Sequence, residues 1–442
     1  MARPTRSTLF EIGAAILLFT VVSVATLYQQ KITLIRYWDS DEYYWMTYNM
    51  ATRQPIRASA PWVYRIGVPW VASLPFRYLL TRGYPYWTIK YPYYIMNVSA
   101  ALATTLLLIV WLRRFVDSVV IRLLVVLMFL VEWHGPVRFV YFYPVYVDPV
   151  FIVFLLGGLM LIEHSRGHSP GRVSPLLAVV CALGTLCRES MIVVALAFIV
   201  AHNPFSAPTR TAWRRDLVAA AAPLVASLLA IVFAHAIVTP KAPYSATAEA
   251  LRVSTEKPLF TWALAWFLTF GPGVAAVIAY DGRAALQFLR QRPYLAFYLI
   301  ACGLLGFAGG TDTERVLFWA LPVVYVLAAR AVERDWPVLK SGPLPIVLLA
   351  AQMISARVLW PIPDVLTSPM AFGDVTRLGP RVYSALNRVV VIDDYYWNLW
   401  SYFGSRRWHA LLLAYDVAFA IAIVVWMRWR ATGSIRSACP DR

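Results

Sequence analysis

The sequence predicts an all-α polytopic membrane protein of about twelve transmembrane helices, within a range of roughly 10–13, with interfacial helices in the first exoplasmic loop. Three observations carry that prediction. The chain of 442 residues is 60% hydrophobic and only 14% charged, too few charges for a water-facing surface. Its apolar residues fall in continuous runs, unlike the alternating pattern of a transmembrane β-barrel. Arg and Lys collect in the short segments between those runs, as the positive-inside rule requires.

The runs lie at about 9–29, 95–112, 119–133, 149–162, 175–187, 190–202, 216–238, 260–280, 294–308, 316–331, 344–362 and 409–427. Several fall short of the ~20 residues that cross a bilayer, so 119–133, 149–162 and 175–202 are candidates for re-entrant or partial helices. Placing Arg3 and Arg6 in the cytoplasm also puts Arg113/Arg114, Arg166/Arg172, Arg214/Arg215, Arg290/Arg292, Arg330/Arg334 and the C-terminal Arg428/Arg430 inside. Every even-numbered junction agrees. The first run, followed by Ser23-Val24-Ala25, reads alternatively as a cleaved signal peptide; its loss leaves the remaining topology unchanged.

The whole chain, 1–442, then forms one transmembrane domain with two long exoplasmic segments, 30–94 and 363–408. Shorter loops at about 134–148, 188–189, 239–259 and 309–315 join them on that face. The first long segment is dense in aromatics, including Tyr37, Trp38, Tyr43, Tyr44, Trp45, Trp62 and Trp70, with apolar residues at helical spacing. It predicts interfacial helices over about 41–53 and 66–80, joined by a turn at Pro55 and Pro61. The segment is also basic, with Lys31, Arg36, Arg53, Arg57, Arg65, Arg77, Arg82 and Lys90. That excess suggests an anionic lipid or phosphate partner.

A formal charge of +17 would suggest nucleic acid in a soluble chain. Here topology and membrane lipids account for it, and no nucleic-acid partner is expected. The four cysteines (Cys181, Cys187, Cys302, Cys439) form no disulfide framework. His164-x3-His168 sits in a Gly/Ser-rich basic loop, where a solvated pair is favoured over a metal site.

Charge is expensive beside hydrocarbon, so the acidic clusters are the pointer to function. All fall on the exoplasmic face. Asp39 and Asp41, followed by Glu42, open the first interfacial helix; two positions apart, they do not share a helix face. Either both are helix caps, or one acts as a general base toward a hydroxyl. Asp148 ends the aromatic stretch Tyr141 to Val147 and precedes Pro149, which fits ordinary capping or a poorly solvated functional carboxylate. Arg188–Glu189 interrupts an apolar stretch, as an ion pair or as an Arg free to bind phosphate. Asp312-Thr313-Glu314-Arg315 follows Gly309-Gly310, whose flexibility permits close backbone approach. No Gly-rich phosphate loop or nucleotide-sugar motif is evident.

Together these features resemble the integral-membrane glycosyltransferases of the GT-C superfamily, which use polyprenyl-phosphate-linked sugars. The matching residues are Asp39-Ser40-Asp41-Glu42-Tyr43-Tyr44 with Pro61-Trp62-Val63-Tyr64-Arg65, then Tyr146-Val147-Asp148-Pro149, then Cys187-Arg188-Glu189-Ser190 with Gly310 to Arg315. The resemblance covers roughly 1–335 by topology. It implies inverting transfer of a sugar from a polyprenyl-phosphate donor to a hydroxyl of a glycan or lipid acceptor. The base would be Asp41 or Asp39, of which Asp41 matches the family position better. Asp148 would position the acceptor or help the base, and Arg65, Arg188 and Arg315 would stabilise the departing phosphate. Glu42, Glu189, Asp312 and Glu314 would support the site. Some relatives use Mg2+ or Mn2+ held by carboxylates and others none. The composition favours a bacterial inner membrane, with the endoplasmic reticulum as the alternative. A transporter or flippase of a lipid-linked or anionic solute is the competing class, with a surface-polysaccharide polymerase or ligase and a non-enzymatic scaffold behind it.

Overall fold

A computed structural model describes residues 6–29, 39–132, 134–203, 210–340, 342–355, 400–403 and 405–437. The fold is all-α, and the single pair of described strands holds two residues each. Helix α1 (Arg6–Gln29) leads to α2 (Asp39–Thr52) and α3 (Gly67–Thr81). These two match the helices predicted for the first loop. Asp39, Asp41 and Glu42 in the first turn of α2 complement the helix dipole. At its other end, Arg77 from α3 donates to the Met50 and Ala51 carbonyls at 2.8 and 2.9 Å, satisfying groups that a helix C-terminus leaves open.

Next come α4 (Lys90–Leu112), α5 (Val119–Val131), α6 (Pro136–Phe142) and α7 (Asp148–Ser165), where Asp148 and Pro149 start the helix. Helices α8 (Ser174–Cys187) and α9 (Ile192–His202) stop on either side of Arg188–Glu189, the cheaper arrangement for a charge pair within an apolar stretch. The chain continues through α10 (Arg210–Ile237), α11 (Ala246–Glu256), α12 (Leu259–Phe270), α13 (Pro272–Tyr280), α14 (Gly282–Gln291) and α15 (Pro293–Ala308). It closes with α16 (Thr313–Leu317), α17 (Leu321–Arg334), α18 (Trp336–Leu339), α19 (Leu344–Ser355) and α20 (Arg406–Ser437).

The expectation of about twelve spans needs correction. Among the described residues six helical stretches are long and apolar enough to cross a membrane, or seven if the bent pair α12–α13 counts as one. The other apolar runs form helices of 10–17 residues. A 14-residue helix such as α8 reaches about 21 Å, short of the ~30 Å hydrocarbon core. Most of the second long exoplasmic segment, and with it the end of the run at 344–362, lies outside the described residues, as do Tyr37, Trp38 and Cys439. The other three cysteines are buried and free.

Helices α12 and α13 meet at 95°. Gly271 between them has φ +81°, and a Cβ there would run into the Gln352 amide. Gly271→Ala is therefore expected to lower stability by roughly 1–3 kcal/mol, read as a lower melting temperature in detergent; an unchanged melt would show that the elbow relaxes.

Polar contacts sort the loops into two ends of the helix bundle. At one end Glu163 accepts from Arg292 at 3.2 Å and from the Tyr294 hydroxyl at 2.5 Å. There too, Glu333 accepts the backbone N–H groups of Asp117 and Ser118, and Glu11, fully buried, pairs with Arg122 and Arg113. At the other end the strands Arg57–Ala58 and Thr239–Pro240 pair in parallel. Lys241 reaches Glu42 at 3.0 Å, and the Tyr402 hydroxyl donates to Glu256 at 2.6 Å. The acidic clusters meet at this second end.

Candidate functional site

Arg315 is the hub. The first turn of α16 aims its guanidinium at three carboxylates from three parts of the chain. Nη1 lies 2.7 Å from Asp39 Oδ2, Nη2 lies 2.7 Å from Asp312 Oδ2, and Nε lies 3.9 Å from Asp148 Oδ2. The guanidinium also sits over the Tyr146 ring, 5.5 Å from its centroid. Arg188 pairs with the other oxygen of Asp148 and lies 4.5 Å from the centroid of the Trp319 ring. Asp39, Asp148 and Arg188 are all buried. Buried ions persist only when paired and hydrogen-bonded, so charge alternation is what lets this cluster exist.

A second layer holds Arg65. Its Nε donates to Glu189 at 3.2 Å and its Nη1 to the Tyr43 hydroxyl at 3.2 Å. Burial would lower the Arg65 pKa, but Glu189 and Tyr43 more than reverse this and push it up. Burial also pushes the Tyr43 phenol up to about 12. Burial raises the Asp312 carboxyl above its ordinary range, against the pull of Arg315. The Tyr143 hydroxyl accepts the Ser40 backbone N–H at 3.2 Å, fixing the start of α2 against the loop before α7.

Several buried polar atoms in this cluster have no hydrogen-bond partner: Arg315 Nε, Asp148 Oδ2, Glu189 Oε1, Ser190 Oγ and Trp319 Nε1. Buried polar groups in folded proteins are overwhelmingly satisfied. The set contains donors and acceptors alike, so a phosphate, which only accepts when ionised, meets half of it. A ligand carrying hydroxyls as well meets the rest.

The residues singled out from sequence divide. Asp39, Asp148, Arg188, Asp312 and Arg315 converge directly, with Arg65 and Glu189 beside them. Asp41 is half-buried, two positions beyond Asp39 on α2. That places it about 200° around the helix, while Asp39 takes the contact with Arg315. Glu42 faces elsewhere, accepting Ser59 N and Oγ at 2.8 and 2.7 Å as well as Lys241. Burial opposes ionisation of Glu42, but these bonds hold its pKa below the ordinary value. Glu314 points away too: one oxygen accepts the Ser401 N–H at 2.7 Å.

The carboxylates do not fit a divalent metal site. Their oxygens face a guanidinium, and among the described residues no group of three or more His, Cys, Asp and Glu side chains is placed to hold a metal ion. The Arg315 charge occupies the centre that a cation would need.

Sequence reading quoted Tyr146 in the motif before Asp148 without a role, and it missed Trp319, the aromatic face beneath Arg188, and Lys257. That ammonium is buried and donates to the carbonyls of Gly306 and Gly310 at 2.8 and 2.9 Å, pinning the turn that leads into Asp312. Burial pulls its pKa down to about 8, although Glu314 and Asp312 favour the charged form. Below that pH the buried charge opposes folding by about 3 kcal/mol. Between about 8 and 10.5 the unfolded chain holds the proton and the native protein does not, so stability should rise with pH in that window. Wild type should accordingly gain melting temperature on Lys257→Met as pH rises from about 7 to about 10. A flat difference would show that the lysine is not buried as a cation.

Comparison with protein-family models and with curated proteins finds no match to this chain.

Proposed function

We propose that the chain is a multi-pass membrane glycosyltransferase that moves a sugar from a polyprenyl-phosphate donor to a hydroxyl of a glycan or lipid acceptor. The observation that supports this reading best is the meeting of Asp39, Asp148 and Asp312 with Arg315, Arg188 and Arg65, with buried donors and acceptors left unpaired. A phosphosugar offers what they lack: anionic oxygens for the arginines and hydroxyls for the carboxylates.

In the proposed reaction the acceptor oxygen attacks the anomeric carbon from the face opposite the phosphate. The bond from that carbon to the phosphate oxygen breaks, and configuration inverts. A carboxylate takes the acceptor's proton, and we assign that role to Asp39, whose Oδ2 lies 2.7 Å from Arg315 at the centre of the cluster. Asp148, with one oxygen on Arg188 and the other 3.9 Å from Arg315 Nε without a hydrogen bond, orients the acceptor. Arg188, Arg65 and Arg315 stabilise charge on the departing phosphate. Cytoplasmic termini and an inner-membrane location with the cluster facing outward belong to the same proposal. In it α3 lies in the head-group plane, with Trp70, Leu74 and Tyr78 exposed along one face.

The test is a transfer assay with purified protein, polyprenyl-phosphate sugars and a panel of hydroxyl acceptors. Release of polyprenyl phosphate coupled to an inverted glycosidic product supports the reading; absence of turnover across the panel counts against it. The break at Gly271 favours transport as a second reading, since transporters bind at broken helices. Counterflow of a lipid-linked or anionic solute in vesicles, without chemical change, would select it.

A further inference from the structure

The elbow between α12 and α13 opens a wedge of about 540 Å3 against α15 and α17. Its walls are apolar: Trp262 and Trp266 on α12, Val274 on α13, Leu304 on α15 and Leu327 on α17 typify them. Gln352, beside the break, is not among the described residues that line the wedge, and its Oε1 is buried without a hydrogen-bond partner. The Gln352 amide donates to the Phe270 carbonyl at 2.9 Å, and the Trp262 indole donates to the Gly303 carbonyl at 3.0 Å. Among the described residues no charged side chain lines the space, and a buried water needs about two to four polar partners. The wedge therefore asks for hydrocarbon. It opens sideways, because Ile300 and Leu304 at its rim are 62% and 63% exposed on the apolar helix α15. On its inner side the Phe270 ring stacks on Phe318 at 6.3 Å, and Leu317 lies against Gly306.

We propose that the wedge binds one acyl chain of a membrane phospholipid, which fills the inside of the elbow and holds α12 and α13 at their angle. None of the described residues on its walls carries a charge for a phosphate, so selection is for chain alone, and bulk phospholipid supplies chains at its lateral mouth. The proposal is independent of glycosyl transfer.

The experiment reconstitutes the full chain in bilayers doped with a phospholipid carrying a diazirine midway along one acyl chain. After irradiation, adducts are mapped by mass spectrometry. Labelling of the peptides around Trp262–Ala279 and Leu299–Leu304 should saturate at low probe fraction. Labelling of exposed α1 residues such as Phe10 and Leu17, 68% and 63% accessible, should rise in proportion to probe. Leu304→Trp at the exposed rim closes the mouth without disturbing the core, and Ala275→Leu fills the wedge from within. Saturable labelling should be lost in both, with α1 labelling unchanged. Labelling that scales linearly at both places, or that persists in both variants, would overturn the proposal. Displacement of the probe by unlabelled polyisoprenyl phosphate at equal mole fraction would also overturn it, by assigning the wedge to an isoprenoid chain.

Discussion

Arg315→Met should abolish transfer and destabilise the protein by roughly 3–5 kcal/mol, the cost of leaving buried carboxylates without their counter-charge. Asp39 and Asp312 each give up a contact of 2.7 Å, whereas Asp148 keeps Arg188. The diagnostic measurement is the double variant. Arg315→Met with Asp39→Asn removes one charge of each sign and should recover much of the melting temperature in detergent without recovering transfer. A destabilisation that the second change does not relieve would mean that Arg315 supports the fold by packing over Tyr146 rather than by charge. Arg315→Lys should behave more like the methionine than like wild type. A point charge cannot address two carboxylates through a planar fork.

The second large effect separates the two acids of α2. Asp39→Asn should lower turnover by about 10²–10⁴-fold, the range a positioned general base contributes. The amide keeps the shape of the side chain and an acceptor for Arg315, so donor binding and the melt should stay near wild type. Asp41→Asn should leave turnover within a few-fold, as expected for a residue on the other side of the helix. Both arms need measuring at saturating donor, so that a change in affinity is not read as a change in rate. The reverse pattern, with Asp41→Asn inactive and Asp39→Asn active, would move the base to Asp41 and leave Asp39 as the counter-ion of Arg315.

Much of this arrangement was readable from the chain. The apolar runs gave the helices, and the Arg and Lys pattern gave loop sets whose contacts fall at two ends of the bundle. Helices α2 and α3 begin and end within a residue or two of the positions read from aromatic and apolar spacing. Span count was less legible, because hydropathy marks where a helix is apolar and not whether it is long enough or straight. The run at 260–280 contains Gly271-Pro272, an evident breaker, but nothing in the run itself gives the 95° angle at which its two halves meet. Within the site, spacing alone established that Asp39 and Asp41 point apart. The phase of α2 against the rest of the protein decides which one faces Arg315, and that phase comes from Tyr43, Met46 and Thr47 packing inward. Lys257 was illegible for another reason. A lysine in a loop carries no periodic signal, and its importance lies in two backbone carbonyls some fifty positions downstream.

The short pairing of Arg57–Ala58 with Thr239–Pro240 has a consequence for biogenesis. A ribosome delivers the first loop long before its partner strand exists, and Arg315 emerges 276 residues after Asp39. On the proposed topology, the segment between α1 and α4 waits outside the translocon until α10 has been inserted and residues 239–241 can clasp it. Nascent chains arrested after α10 should thus keep this segment open to protease, whereas chains extended past Arg315 should protect it.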